Sequence, residues 1–227
     1  MKNLIIISGL FFPVTLLSQR PATGAWLNLQ LPFQINNKWQ LHNEGGYRTL
    51  GNFTSALQYL YRTGIRYNVN KNWSTAAGVA FFFTRTNYSK QNNEFAKEFR
   101  LWEEANFKNQ LIKKLHYQIR LRIEQRSFAV TSSKSSYYAF RYRIKPQLQQ
   151  IITDKWSILI ADEYMQQYAH SNWSFDQNRL IANAVYQVNK FTQFQAGYMW
   201  LRWPARSSQN IVMLSFQKTI SLHDKQQ

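Results

Sequence analysis

The chain has no cysteine, so neither a disulfide framework nor a thiolate metal site can form. Proline (5) and glycine (8) are scarce in the 227 residues, which excludes a collagen-like chain or a flexible linker. Acidic residues are few: 11 Asp and Glu stand against 28 Lys and Arg, a formal net charge of +17. Beyond residue 18 there is no apolar run of about 20 residues, the length a spanning helix needs. No HExxH or GxSxG motif occurs, and the four histidines (His42, His116, His170, His223) are scattered.

What is present begins with "MKNLIIISGLFFPVTLLSQ". Lys2, the apolar run from Leu4 to Leu17 and the small Ser18 have the layout of a secretory signal peptide, so residues 1–18 are expected to be removed and 19–227 to form one domain. An exported chain with no spanning helix is secreted, periplasmic or an outer-membrane barrel.

The rest of the chain repeats. Short Lys-bearing turns are each closed by a bulky apolar residue: Trp39, Trp73, Leu115, Trp156 and Phe191, spaced 34, 42, 41 and 35 apart. Each interval holds two strand-like segments around a longer polar loop, such as "AHSNWSF" (169–175). Alternation is clear in 57–69, where Leu57, Tyr59, Tyr61, Ile65, Tyr67 and Val69 share one face and Gln58, Arg62, Arg66 and Asn68 the other. It is equally clear in 138–148 and in "LHYQIRLRIEQR" (115–126). In 99–107, 156–165, 179–188 and 192–202 it is weaker. There Glu103, Asp162 and Arg202 fall on the apolar face, as rim positions or register errors.

Successive strands with short turns at one end and long loops at the other predict an all-β, transmembrane, antiparallel up-and-down β-barrel. Ten strands are expected, at 39–50, 55–69, 73–86, 96–108, 114–128, 136–149, 155–166, 175–188, 191–203 and 209–222. Residues 24–33 also alternate. They are either a partial strand or a sign that the total is twelve. A soluble β-sandwich or lipocalin-like barrel is the alternative, but bulky aromatic residues at the turns suit a membrane interface better.

If the apolar face meets lipid, the other face lines the lumen. The expected lining is His42, Glu44, Arg48, Arg62, Arg66, Arg100, Glu104, His116, Arg120, Arg122, Glu124, Arg126, Arg141, Arg143, Lys145, Glu163 and Arg179. Arginine is placed on strands and most lysine in turns. The planar guanidinium pairs with carboxylates while partly dehydrated, whereas lysine is better hydrated. Eleven cations against four acids leave an excess of seven, more than a dry interior tolerates. The expectation is an Arg–Glu network that either plugs the barrel or surrounds a hydrated space favouring small anions. Outer-membrane lipids and the phosphates of lipopolysaccharide are expected partners of the basic rim (Arg85, Lys90, Lys97, Lys134, Arg206). A nucleic-acid platform is disfavoured because the charge alternates along strands instead of forming a patch. Catalysis is not expected, and no cofactor or metal site is read. The competing reading is a lipid-modifying enzyme, resting weakly on His170 with Ser171, Ser174 and Asp176, or on His42 with Glu44.

Trp26, the turn at Asn36–Lys38, Glu44 with Arg48, then Arg62, Gly64 and Tyr67, and finally Arg120, Arg122, Glu124 and Arg126 carry a family resemblance. The chain resembles the outer-membrane barrels catalogued as domain-of-unknown-function family 2490, over nearly all of residues 19–227. The resemblance implies an outer-membrane barrel of Gram-negative bacteria. It brings no reaction, ligand or catalytic residue.

Overall fold

A computed structural model describes residues 22–50, 53, 55–86, 94–204 and 208–221. The expected signal peptide, Lys90, Arg206 and His223 lie outside the described residues. The strands are β1 Ala22–Gln30, β2 Phe33–Gln34, β3 Trp39–Leu50, β4 Ser55–Asn68, β5 Trp73–Arg85, β6 Phe95–Ile112 and β7 Leu115–Phe128. They continue as β8 Tyr137–Ile151, β9 Trp156–Ala169, β10 Asn172–Asn189, β11 Thr192–Arg202, β12 Gln209–Lys218 and β13 Ile220–Ser221. Each strand from β3 to β11 pairs antiparallel with the next, and the sheet closes on itself through β1.

The wall has eleven staves, because β1 with β2, and β12 with β13, each act as one. Pro32 separates β1 from β2; it has no N–H for the ladder, and its carbonyl accepts from Ile220 N at 2.9 Å. Residues 24–33 are therefore a full member of the wall. With an odd number of staves the first and last run the same way. Accordingly β1 pairs parallel with β12, from Ala22↔Gln209 to Gln30↔Gln217, and antiparallel with β3, from Trp26↔Arg48 to Gln30↔Glu44. An even count reads naturally from the sequence because a hairpin repeat brings strands in pairs; the parallel seam makes the odd count possible.

Three of the five Lys-bearing turns share one construction. Asn36 Oδ1 accepts from the backbone N of Lys38 and Trp39, and Asn70 Oδ1 from those of Asn72 and Trp73, all at 2.9 Å. Thr153 Oγ1 does the same for Lys155 and Trp156, at 3.3 and 3.0 Å. The side chain thus closes the turn locally. At the opposite end, the expected loop 169–175 shrinks to two residues. His170 (φ 51°) and Ser171 (φ 62°) are both left-handed, the signature of a tight primed hairpin turn. β9 and β10 continue to this turn and extend past the end of β11.

The outer face carries the apolar residues, including Tyr59, Tyr61, Ile65, Leu101, Leu121, Ile123, Ile144 and Ile160, all exposed. Aromatic pairs ring its short-turn end: Trp39–Tyr67, Trp73–Phe107, Trp156–Tyr186 and Phe194–Phe216, with centroids 4.7–4.9 Å apart. Tyr47–Tyr59 and Tyr168–Trp173 lie toward the other end. Arg202 is the last residue of β11 and is a rim position as expected. Glu103 and Asp162 are not at the rim: they point outward from the middle of β6 and β9, and Asp162 accepts from Asn178 Nδ2 at 2.5 Å.

The inner face is not uniformly polar. Met199, Leu201 and Ile211 are buried inside with Trp26, against Ile181, Trp203 and Met213. Leu159, Ala161 and Val185 form a neighbouring cluster. Over β10 to β12 both faces are therefore apolar in part, which is why 179–188 and 192–202 lack clean alternation.

Candidate functional site

The charged half of the lumen is built by β3 to β10. In these strands every second residue points inward, so a run such as Arg120, Arg122, Glu124, Arg126 projects as one column. Fifteen of the seventeen expected lining residues face one internal cavity of about 850 Å³. Glu124 is hidden behind arginines, and His116 lies at the short-turn end, opposite Gln110 and Gln149.

Glu124 is 1% exposed. It accepts from Arg141 Nε at 2.8 Å, Arg143 Nη1 at 2.6 Å and Arg100 Nη1 at 3.3 Å. Glu163, equally buried, accepts from Arg143 Nε at 3.0 Å and Arg179 Nη1 at 3.2 Å, and is also bonded by Arg120. Glu104 binds Arg122 and Asn106 and pairs with Arg66 at 3.4 Å. Glu44 accepts from Arg62 Nη1 at 2.8 Å, with His42 Nε2 3.5 Å away. These bonds join neighbouring and next-nearest staves, so the network braces the wall from inside.

Two acids of this network are absent from the expected set. Glu98 grips Arg100 through Nε (2.6 Å) and Nη2 (2.8 Å) and accepts from Arg126 Nε at 2.6 Å. Its even position, shared with Arg100 and Glu104, is the signal that could have found it. Asp176 accepts from Arg141 Nη1 at 3.0 Å. It is the extra residue of a bulge between Phe175 and Gln177, and the bulge turns it inward against the period-two pattern. With these two the lumen holds six carboxylates against the same eleven cations, an excess of five instead of seven before Arg85 and Lys134 at the cavity mouth are counted.

Nine of the eleven cations pair with a carboxylate; Arg48 and Lys145 do so with none among the described residues. Arg48 instead lies flat on Trp26, with Cζ 3.7 Å from the ring centroid, and donates to Gln58 Oε1 at 2.6 Å. Lys145 precedes Pro146, where the ladder to β9 skips from Ile144 to Gln147.

Of the two catalytic groupings, that of His170, Ser171, Ser174 and Asp176 is joined by no side-chain hydrogen bond or ion pair among the described residues, whereas His42 and Glu44 come to 3.5 Å inside the lumen. Asp176 is committed to Arg141, while His170 sits on the hairpin turn with its ring 5.2 Å from that of Tyr137. His42 and Glu44 belong to the lumen network. No group of three or more His, Asp or Glu among the described residues is arranged to hold a metal ion.

At the long-loop mouth the segment after β7 contributes Thr131, Ser133, Lys134 and Ser135 to the cavity lining. Glu94, just before β6, fastens it by accepting from Ser132 Oγ at 2.6 Å and Ser132 N at 2.9 Å. These bonds hold its carboxyl below the ordinary carboxylate range. A depressed acid stabilises its contact above that range and loses it as pH falls through the lowered value. Acidification will therefore reduce hydrogen-exchange protection of 129–136, after correction for intrinsic rates, and Glu94→Ala will abolish that dependence. Protection insensitive to pH in the wild-type protein would show that the clasp does not hold this loop.

Fold and site together define a closed, antiparallel-rich β-barrel with an apolar exterior and an Arg–carboxylate lumen. The family described as "Protein of unknown function (DUF2490)" matches residues 23–211, and the chain belongs to it. No functionally curated protein matches the chain.

Proposed function

We propose that the protein is an outer-membrane β-barrel of Gram-negative bacteria whose lumen forms a narrow, anion-leaning pathway, braced by its own ion pairs. The membrane reading rests on inversion: the exterior is an apolar belt edged by aromatic residues, while buried charge is held inside. A closed barrel also leaves no sheet edge to face lipid. Short turns then lie on the periplasmic side and long loops outside. Lys97, which points outward near the long-loop end, is placed to meet lipopolysaccharide phosphates. Arg85 and Lys134 instead line the cavity mouth.

The observation that carries the channel reading is the five-charge excess beside a cavity of about 850 Å³. Carboxylates neutralise most of the guanidiniums but leave the space positive, and a positive cleft raises the local concentration of anions. The bracing keeps the pathway narrow. In planar bilayers under a salt gradient the purified barrel is expected to give small conductance steps with a reversal potential favouring anions. Cation selectivity, or no conductance in protein shown to be inserted, would overturn the channel reading.

A further inference from the structure

Five of the ten lumen arginines use the same edge of the guanidinium. Arg100 presents Nε and Nη2 to Glu98, Arg122 presents them to Glu104, Arg141 to Glu124 and Arg143 to Glu163. Arg179 sets the same edge on Gln177 Oε1, at 3.0 and 2.9 Å. Arg48 does not, and neither do Arg62, Arg66 and Arg120, whose Nε atoms are likewise buried without an acceptor; of these four only Arg48 also has no carboxylate partner among the described residues, and only its Nη1 is bonded. Yet Arg48 is firmly held. Trp26 stacks on its face, and Gln58, which accepts from it, is itself anchored to Thr84. Stacking occupies the face of the guanidinium, and its Nε/Nη2 edge meets no protein acceptor among the described residues. The surroundings add to the demand for an anion. Arg62 has an unpartnered Nε, and the charges that bear on Arg48 are three cations, Arg179, Arg100 and Arg62, against one acid, Glu44. All four arginines line the cavity.

We infer that the Nε/Nη2 edge of Arg48 is a binding site for a soluble oxyanion that presents two oxygens side by side, a carboxylate or a phosphate. The solute takes the place that a wall carboxylate takes on the other arginines. Such bidentate pairs give geometric specificity as well as attraction. A spherical halide cannot satisfy two parallel donors equally. Because Arg48 points into the lumen, lipid headgroups on the exterior do not reach it. The inference rests on the proposed anion-attracting lumen and names the solute that lumen holds.

The test is calorimetric titration of the refolded, detergent-solubilised full barrel with inorganic phosphate, with succinate and with chloride, at constant ionic strength. Phosphate and succinate are expected to bind and to compete with each other, with chloride far weaker. Arg48→Lys keeps the charge and loses the fork; it should weaken both oxyanions by at least about tenfold, the loss of one charge-assisted hydrogen bond. Arg48→Gln should do the same, and a melting temperature near wild type for either variant establishes that the barrel is intact. Absence of binding, equal binding of chloride, or Arg48→Lys binding like wild type overturns the inference. The conductance measurement stands apart. Oxyanion binding without anion-selective current overturns only the pathway, and anion-selective current with no binding at Arg48 overturns only this site.

Discussion

Glu124→Gln will destabilise the barrel by about 3–5 kcal/mol, the usual cost of leaving a buried charge without its partner. Glutamine keeps the shape of the side chain, so the loss isolates the charge. Three arginines, Arg141, Arg143 and Arg100, donate to this one carboxylate, and Arg122 lies 3.9 Å away. Arg143 and Arg141 retain Glu163 and Asp176, and Arg100 retains Glu98, so the network is strained in charge but not emptied. Urea unfolding in detergent micelles, followed by tryptophan fluorescence, measures the difference. A loss below about 1 kcal/mol, the scale of a solvent-exposed ion pair, would mean that water replaces the carboxylate and that the bracing is dispensable.

Gly78→Ala is the second large effect, and it acts through sterics alone. Gly78 faces Gly64 across β4 and β5, and the indole of Trp102 lies over both. A Cβ at position 78 would sit 2.1 Å from Thr63 O, 2.5 Å from Gly64 Cα and 2.8 Å from Trp102 Cζ2. The first two are backbone and cannot swing aside. Trp102 is itself fixed: it is 3% exposed, donates to Val79 O at 3.2 Å and carries Arg122 with Cζ 5.0 Å from its ring centroid. Overpacking of this kind costs about 1–3 kcal/mol, and the upper end is expected here because backbone must move. Gly45→Ala is the matched control, since a Cβ there meets nothing within 4 Å. Equal unfolding midpoints for the two variants would show that the Gly64–Gly78 floor under Trp102 is not a close approach.

Much of the wall is legible before any coordinates. In 57–69, 115–126 and 138–148 the side-chain period of two separates apolar from charged residues cleanly, because one face of each strand forms the apolar exterior and the other the charged lumen. Strand ends fail where the turn is closed by residues that do not advertise it. "AHSNWSF" looks like a polar loop, but His170 and Ser171 adopt left-handed backbone and let β9 and β10 run on. Glu103 and Asp162 were visible as violations of the pattern, and they are true outward-facing acids.

The sequence by itself determined the all-β class, the repeated turns, the two-faced wall and fifteen residues of one cavity, because these follow from local periodicity and side-chain chemistry. Tertiary structure decided the rest. Eleven staves require first and last strands to meet in parallel, a pairing between residues about 190 positions apart that no local pattern encodes. The bulge that turns Asp176 inward is set by pairing with β9. Which cation lacks a carboxylate is also a matter of register. Arg48 differs from Arg141 in what the neighbouring staves place opposite it: Trp26 and Gln58 where Arg141 meets Glu124.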